Sequence, residues 1–343
     1  MGTATVGTTR RSEVTSFRAV QRQLAAGLIG ATPADPNGPT LETQRIATGE
    51  PPRLARARVL EGEDIERRAV SGAPSVGFSA FLDGIQATRV LFYDTAVPIV
   101  HGSVSAVVRI RDDRRLTTWE HTVAARVYAP RAYLSPPTNE LLNTFAIDVF
   151  DSTPRRSDGT VDEDARHPLA LADVAVHAVQ AHRETLEQGL AELWCDRARG
   201  SVLYVDGGIS ASARLASELC AVGVVKSQRI LYGDPAAVRT ILSLGEGERS
   251  SVFAITPPNR WRSTVASWYL RVRAAAGRDP LWGLVRVEVA PPDADDTHAI
   301  GARADQVSRW VLAEAAPLSL PDSRWDTMAY GIRDCEQFLR SIT

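Results

Sequence analysis

The sequence predicts an α/β protein built on one mixed sheet, with antiparallel strands first and parallel strands after them. Three observations carry this. Residues 76–110 are almost continuously β-prone, broken only by short turn-like gaps. A long amphipathic stretch fills 169–198, and short apolar runs then alternate with polar, helix-prone segments. Strands that follow closely on one another pair antiparallel, whereas strands separated by a crossover run parallel.

Before residue 76, FRAVQRQLAAGLIG (17–30) has helical apolar spacing, and the prolines and glycine of ATPADPNGPT stop it. Residues 1–75 are therefore expected as an N-terminal helical and extended appendage, and 76–343 as the main domain. VGFSAFLDGIQATRVLFYDTAVPIVHGSVSAVVRI is expected to give three strands and WEHTVAARVYAP a fourth. DSTPRRSDGTVDEDARHP (151–168) reads as a loop. The next segment, 169–198, places residues 172, 175, 176, 179, 186, 190, 193 and 194 on one stripe, and Gly200 ends it. SVLYVD follows as a strand, SARLASELCAVG as a helix and VGVVKS as a parallel strand. SVFAI, STVASWYLRVR and LWGLVRVEVA add further β runs, and two terminal helices lie near 301–316 and 326–341.

Composition narrows the function classes. The chain has 343 residues, 44% hydrophobic, with 39 basic against 41 acidic side chains, the balance of an ordinary globular protein without an overall pull toward nucleic acid. No segment approaches the apolar length of a membrane span, and the N-terminus has no apolar signal core, so a cytoplasmic protein without a membrane partner is expected. Cys195, Cys220 and Cys335 are too few and scattered for a disulfide framework or a CxxC metal site, and each is expected as a small core residue. Zinc-site histidine spacing, GxSxG and the P-loop sequence are all absent.

Two phrases bear on chemistry: FSAFLDGIQ (78–86) and SVLYVDGGIS (201–210) each end an apolar run on Asp-Gly. Asp-Gly is a common turn dipeptide, but an aspartate emerging from a buried strand is also held rigidly, with glycine leaving room for a ligand. Antiparallel strands, the first ending in Asp83, then a helix, then a parallel strand ending in Asp206, form the layout of a ribonuclease H-like sheet. That layout lets both aspartates converge. Glu187 shares one side of the helix with Arg183, Leu190 and Trp194 and can face the sheet, the alternative being a surface acid on an amphipathic helix, whereas Glu184 and Glu192 read as solvated. Clustered carboxylates suit a pair of divalent cations about 3.5–4 Å apart.

FLDG, a helix bearing HRETLEQGLAEL, then LYVDGGIS and VGVVKS, together resemble the NurA family of nucleases over about residues 76–343, most specifically in the block 183–227. The resemblance implies a metal-dependent DNA nuclease, a single-strand endonuclease and 5′–3′ exonuclease acting in end resection or anti-phage defence. It implies two Mn²⁺ or Mg²⁺ ions on Asp83, Glu187 and Asp206, a homodimer, and a hexameric HerA-type ATPase as partner. The family's C-terminal histidine is missing here, and Asp326 is expected in its place as an oxygen donor, although Asp is also a favoured helix N-cap. Asp305 is a weaker candidate and reads as a helix-start acid.

Lys226, Arg229 and Arg262 are expected to contact phosphates. Arg260 and Arg271, interleaved with Trp261, Trp268 and Tyr269, would complete a channel in which bases stack on aromatics, but aromatics at strand spacing are more often core, and that is the expected reading. A catalytically degenerate scaffold that binds DNA or the ATPase is the alternative, favoured by the missing histidine. An actin-like ATPase is a third reading, weakened because two related glycine-rich halves are not found.

Overall fold

The computed structural model describes residues 16–25, 27, 32–33, 40–41, 51–113, 115–144, 148–227, 229–256, 262–292, 296–315 and 328–343. Its short N-terminal strands are β1 (Thr32–Pro33), β2 (Arg53–Ala55), β3 (Arg58–Val59) and β4 (Arg67–Ala69). Three long strands follow: β5 (Ala80–Asp94), β6 (Val97–Asp112) and β7 (Arg115–Ala129), then the short β8 (Val149–Asp151). Next come β9 (Leu203–Asp206), β10 (Ala221–Val225), β11 (Ile230–Tyr232), β12 (Glu248–Ser250), β13 (Phe253–Ile255), β14 (Val265–Arg271) and β15 (Leu284–Val289). The helices are α1 (Phe17–Ala25), α2 (Pro136–Thr144), α3 (Pro168–Arg197), α4 (Pro235–Leu242), α5 (Thr297–Glu314) and α6 (Tyr330–Ile342).

One large mixed sheet runs in the order β3-β13-β14-β15-β10-β9-β5-β6-β7-β8. The expected mixed α/β architecture is present: β5, β6 and β7 form an antiparallel meander, while β9 lies parallel to both β5 and β10. Helices cover both faces. On one, α5 and α6 bury Val307, Val311, Ile332 and Leu339 against Phe81, Tyr204, Val222 and Trp268. On the other, α3 sets Leu190 and Trp194 against Leu82, Leu203 and Val205, and its first half packs Ala172, Ala175 and Val179 on Val100, Val104 and Tyr128. At about 25 cal/mol per Å² of apolar surface, these two faces supply the main drive for folding.

Helix α3 forms where its stripe predicts. Pro168 at the first helical position needs no donor, and His167 caps the end by accepting from Leu169 N at 3.1 Å. Gly200, at φ +80°, turns the chain back toward β9.

Three expectations are corrected. FLDGIQATRVLFYD is one continuous strand rather than two, so Asp83–Gly84 lies inside β5 and is no turn. The alternation of IQATRVLFYD continues the pleat, and β6 pairs with it from Ala80 to Asp94. The helix expected at 212–223 is a series of turns giving way to β10, because only 14 residues separate the ends of β9 and β10 and several are spent on the turn at Gly207–Ser212. The described residues before 76 add short elements to the main domain: β3 pairs with β13 and β4 with β12, while α1 packs Val20 and Leu24 on Leu91 and Phe92. Finally, Cys195 and Cys220 are joined in a disulfide, with Cα atoms 5.6 Å apart; Cys335 is the buried free thiol. The pairing arises because parallel β9–β10 contact brings Cys220 beside the last turn of α3, where Leu203 N donates to Cys220 O at 2.8 Å.

Candidate active site

The site forms where β9 stops. β5 and β9 pair in parallel through Leu82–Val205, and one residue further along stand Asp83 and Asp206 on neighbouring strands. Strands lie about 4.8 Å apart, so this register brings two aspartates of distant sequence side by side. Beyond Asp206 no described strand pairs with that edge of β5 until β1 meets Phe92 and Tyr93. The sheet is therefore notched, and groups from its two faces can meet around the end of β9.

Asp83 shares the pleat face of Phe81 and Ile85, toward α6, and is only 6% exposed. Its Oδ1 accepts from Gly84 N at 2.8 Å. Burial raises its proton affinity well above the carboxylate range, and the negative charges of Asp206 and Glu187 add to that against the opposing pull of Lys226.

Glu187 comes from the opposite face, on α3. Gly84 makes room for it: a Cβ at residue 84 would fall on Glu187 Oε1 and lie 3.0 Å from the Ser105 carbonyl. The Asp-Gly phrase of the first strand thus serves close approach rather than a turn. Burial lifts the Glu187 carboxyl to about 7, although Arg183, which ion-pairs with Oε1, pulls the other way. Arg183 is itself positioned by Gln86 Oε1 at 3.1 Å. Glu184, one turn away, is exposed as expected, whereas Glu192 is half-buried and accepts from Ser212 Oγ at 2.6 Å.

Lys226, just past the end of β10, puts Nζ 2.9 Å from Asp206 Oδ2 and 3.9 Å from Met328 Sδ. Gly207, at φ +137°, turns the chain after Asp206 into a loop whose Ile209 N donates to Glu288 Oε2 at 2.9 Å. A cleft of about 490 Å³ opens here, walled by Asp206, Glu187, Arg183, Arg262, Arg286 and Glu288 among others. In this state one oxygen each from Asp83, Glu187 and Asp206 do not all lie within 4.8 Å of one another; Arg183 and Lys226 hold two of the three carboxylates. Chemically, the cluster is a store of hard oxygen donors that burial makes costly to ionise and that positive charge at the notch would ionise.

No family model and no curated protein matches the sequence. Among solved structures, the crystal structure of the NurA nuclease from Sulfolobus solfataricus is similar over 80% of this chain and 81% of that chain, at 11% sequence identity and a TM-score of 0.44. Residue roles in this chain rest on its own geometry.

That geometry divides the remaining candidates. Arg262 is exposed on the cleft wall and Arg229 is half-buried beside β11. Of the two readings of the aromatic run, the core one holds: Trp268, Tyr269 and Arg271 are core residues of β14. Trp268 donates to Ser308 Oγ at 2.9 Å, Tyr269 OH accepts from Tyr232 N at 2.9 Å, and Arg271 caps the carbonyls of Leu242, Leu244, Pro280 and Trp282. Arg260, Trp261 and Asp326 lie outside the described residues. Asp305 is well inside α5, not at its start, and its Oδ1 accepts from Arg249 Nε at 2.6 Å. Sequence reading missed Arg286 and Glu288, an ion pair at 2.7 Å on the cleft wall. Their signal was two charges in the otherwise apolar run LVRVEV.

Proposed function

We propose that this chain is a metal-dependent DNA nuclease, with Asp83, Glu187 and Asp206 as the acids that hold two Mn²⁺ or Mg²⁺ ions. The observation that carries the proposal is the convergence of three acids, 104 and 19 residues apart in sequence, at one notch in the sheet. The donor set fits: three carboxylates offer hard oxygens, and two of them sit where ionisation is unfavourable unless positive charge is supplied. Bound divalent ions would activate water and stabilise the leaving oxygen of a phosphodiester.

The chain's own residues supply the rest. Asp83 and Asp206 are fixed by β-pairing on either side of the notch, and Glu187 closes it from α3. Lys226 and Arg183, released from their carboxylates, would turn toward the phosphate backbone. Arg229 and Arg262 would track that backbone further along the cleft. Asp326 is proposed as the fourth carboxylate; Met328, two residues on, already touches Lys226. The biological setting we propose is DNA end resection or anti-phage defence in the cytoplasm, by a homodimer docked on a hexameric HerA-type ATPase. We also propose that residues 1–75 decorate the nuclease domain rather than form its catalytic part. Among the described residues no helix is long and apolar enough to cross a membrane.

The test is cleavage of labelled single-stranded DNA with Mn²⁺ or Mg²⁺. Cutting by the wild type and its loss in Asp206→Ala support the reading; absence of cutting with either ion, with and without the ATPase, sinks it. The second reading, a non-cleaving subunit, has an observation of its own: Arg183 and Lys226 occupy the carboxylates. Calorimetry with Mn²⁺ separates the two, since a scaffold keeps those ion pairs and takes up no ion at Asp206.

A further inference from the structure

Away from the notch, the last turn of α3 and the approach to β10 gather a different donor set. Glu218 Oε2 lies 3.7 Å from Cys220 Sγ, and Cys220 is joined to Cys195. Among the described residues these three alone, of all His, Cys, Asp and Glu, bring one ligand atom apiece within 4.8 Å of one another. Arg214 holds Glu218 in place at 3.1 Å and also pairs with Asp196, so the carboxylate is oriented rather than loose. Cys195 and Cys220 both border a cavity of about 550 Å³ that is open to solvent and also bordered by Asp196, Arg199 and Ser201.

The geometry serves two chemical states. A Cα separation of 5.6 Å suits a disulfide, and χ1 rotation from the same backbone lets two thiolates part to the roughly 3.8 Å that tetrahedral zinc imposes with Zn–S bonds of about 2.3 Å. The 3.7 Å between Glu218 Oε2 and Cys220 Sγ is close to the roughly 3.5 Å that a zinc-bound oxygen and sulfur would keep. Two soft sulfurs and one oxygen favour zinc over magnesium or manganese, and the cavity leaves a fourth position to water.

We propose that Cys195, Glu218 and Cys220 form a thiol-gated zinc site, of which the disulfide is the oxidised, metal-free state. A dithiol passes two electrons and two protons to the Cys195–Cys220 bond and itself becomes a disulfide. The two new thiols then release those protons to solvent as their sulfurs bind Zn²⁺. The site is independent of the nuclease chemistry, since none of its ligands borders the notch.

The test uses the full chain, reduced by a trialkylphosphine, desalted without oxygen, and titrated with Co²⁺ and then Zn²⁺. One equivalent of Co²⁺ should give a thiolate-to-cobalt charge-transfer absorption that equimolar Zn²⁺ erases. The unreduced chain should give none, Cys335→Ser should keep it and Cys220→Ser should lose it. Glu218→Gln should weaken Zn²⁺ binding by about tenfold or more, given that even outer partners of metal ligands are worth 10–100-fold. No charge-transfer band in the reduced wild type, a band that survives Cys220→Ser, or unchanged affinity in Glu218→Gln overturns the proposal. Carboxylates at the notch give no such band, so metal bound there is not mistaken for this site. Should Cys220→Ser fail to fold, the wild-type and Glu218→Gln arms still decide.

Discussion

Two of the clusters of buried charge among the described residues are built to opposite ends. Around Arg249, every acid is answered. Glu61 meets its guanidinium at 2.6 and 3.0 Å and also accepts from Val252 N, while Asp305 takes Nε. Burial opposes the charge on Arg249, yet the bonds to Glu61 and Asp305 outweigh it and hold the guanidinium charged. At the end of β9 the acids outnumber their partners, and Asp83 and Glu187 are both pushed toward the protonated form. A structural network satisfies itself, whereas a site leaves a demand that a ligand must meet.

The contrast breaks most visibly at Arg249. Arg249→Met leaves the buried Glu61 only the more distant Arg68, at 3.6 Å, and should cost about 3–5 kcal/mol in urea unfolding. If the loss is near zero, the ion pairs do no more than break even against their burial. Glu187→Gln should move stability the other way. The carboxyl's proton affinity is raised from 4.5 to about 7, so the penalty for ionising it is absent below about pH 4.5, grows between 4.5 and 7, and is complete above 7. Removing that charge should therefore add up to about 3 kcal/mol at pH 8 and nothing at pH 4, read as the difference between two thermal melts. Equal effects at both pH values would mean that Arg183 already satisfies the acid.

Smaller effects sharpen the picture. Gly84→Ala should cost about 1–3 kcal/mol by overpacking while removing DNA cleavage altogether, because the new methyl takes the place of the Glu187 carboxylate. Cleavage that falls only in step with stability would show that Glu187 need not sit there. Arg262→Ala, on the exposed cleft wall, should change stability by less than about 0.5 kcal/mol yet lower the salt slope of single-strand binding by about 1.

Much of this was legible beforehand, for identifiable reasons. The α3 stripe and the apolar runs before Asp83 and Asp206 are periodic signals, and periodicity survives folding. Glu187 was legible once its helix was, since position on a stripe fixes direction. What misled was local chemistry overruled from afar. Asp-Gly reads as a turn, but β6 extends the pairing straight through Gly84. SARLASELCAVG has helical composition, yet its far end is tied down by Cys220 and its exit must feed β10. Trp268, Tyr269 and Arg271 left a binding stripe open beside the core reading because alternation marks strands without saying that both faces are covered.

The disulfide has a mechanical consequence. It pins the α3 terminus eight residues beyond Glu187, which at 1.5 Å per residue makes a lever of about 12 Å. That tether ties the end of the helix bearing Glu187 to the residue that leads into β10.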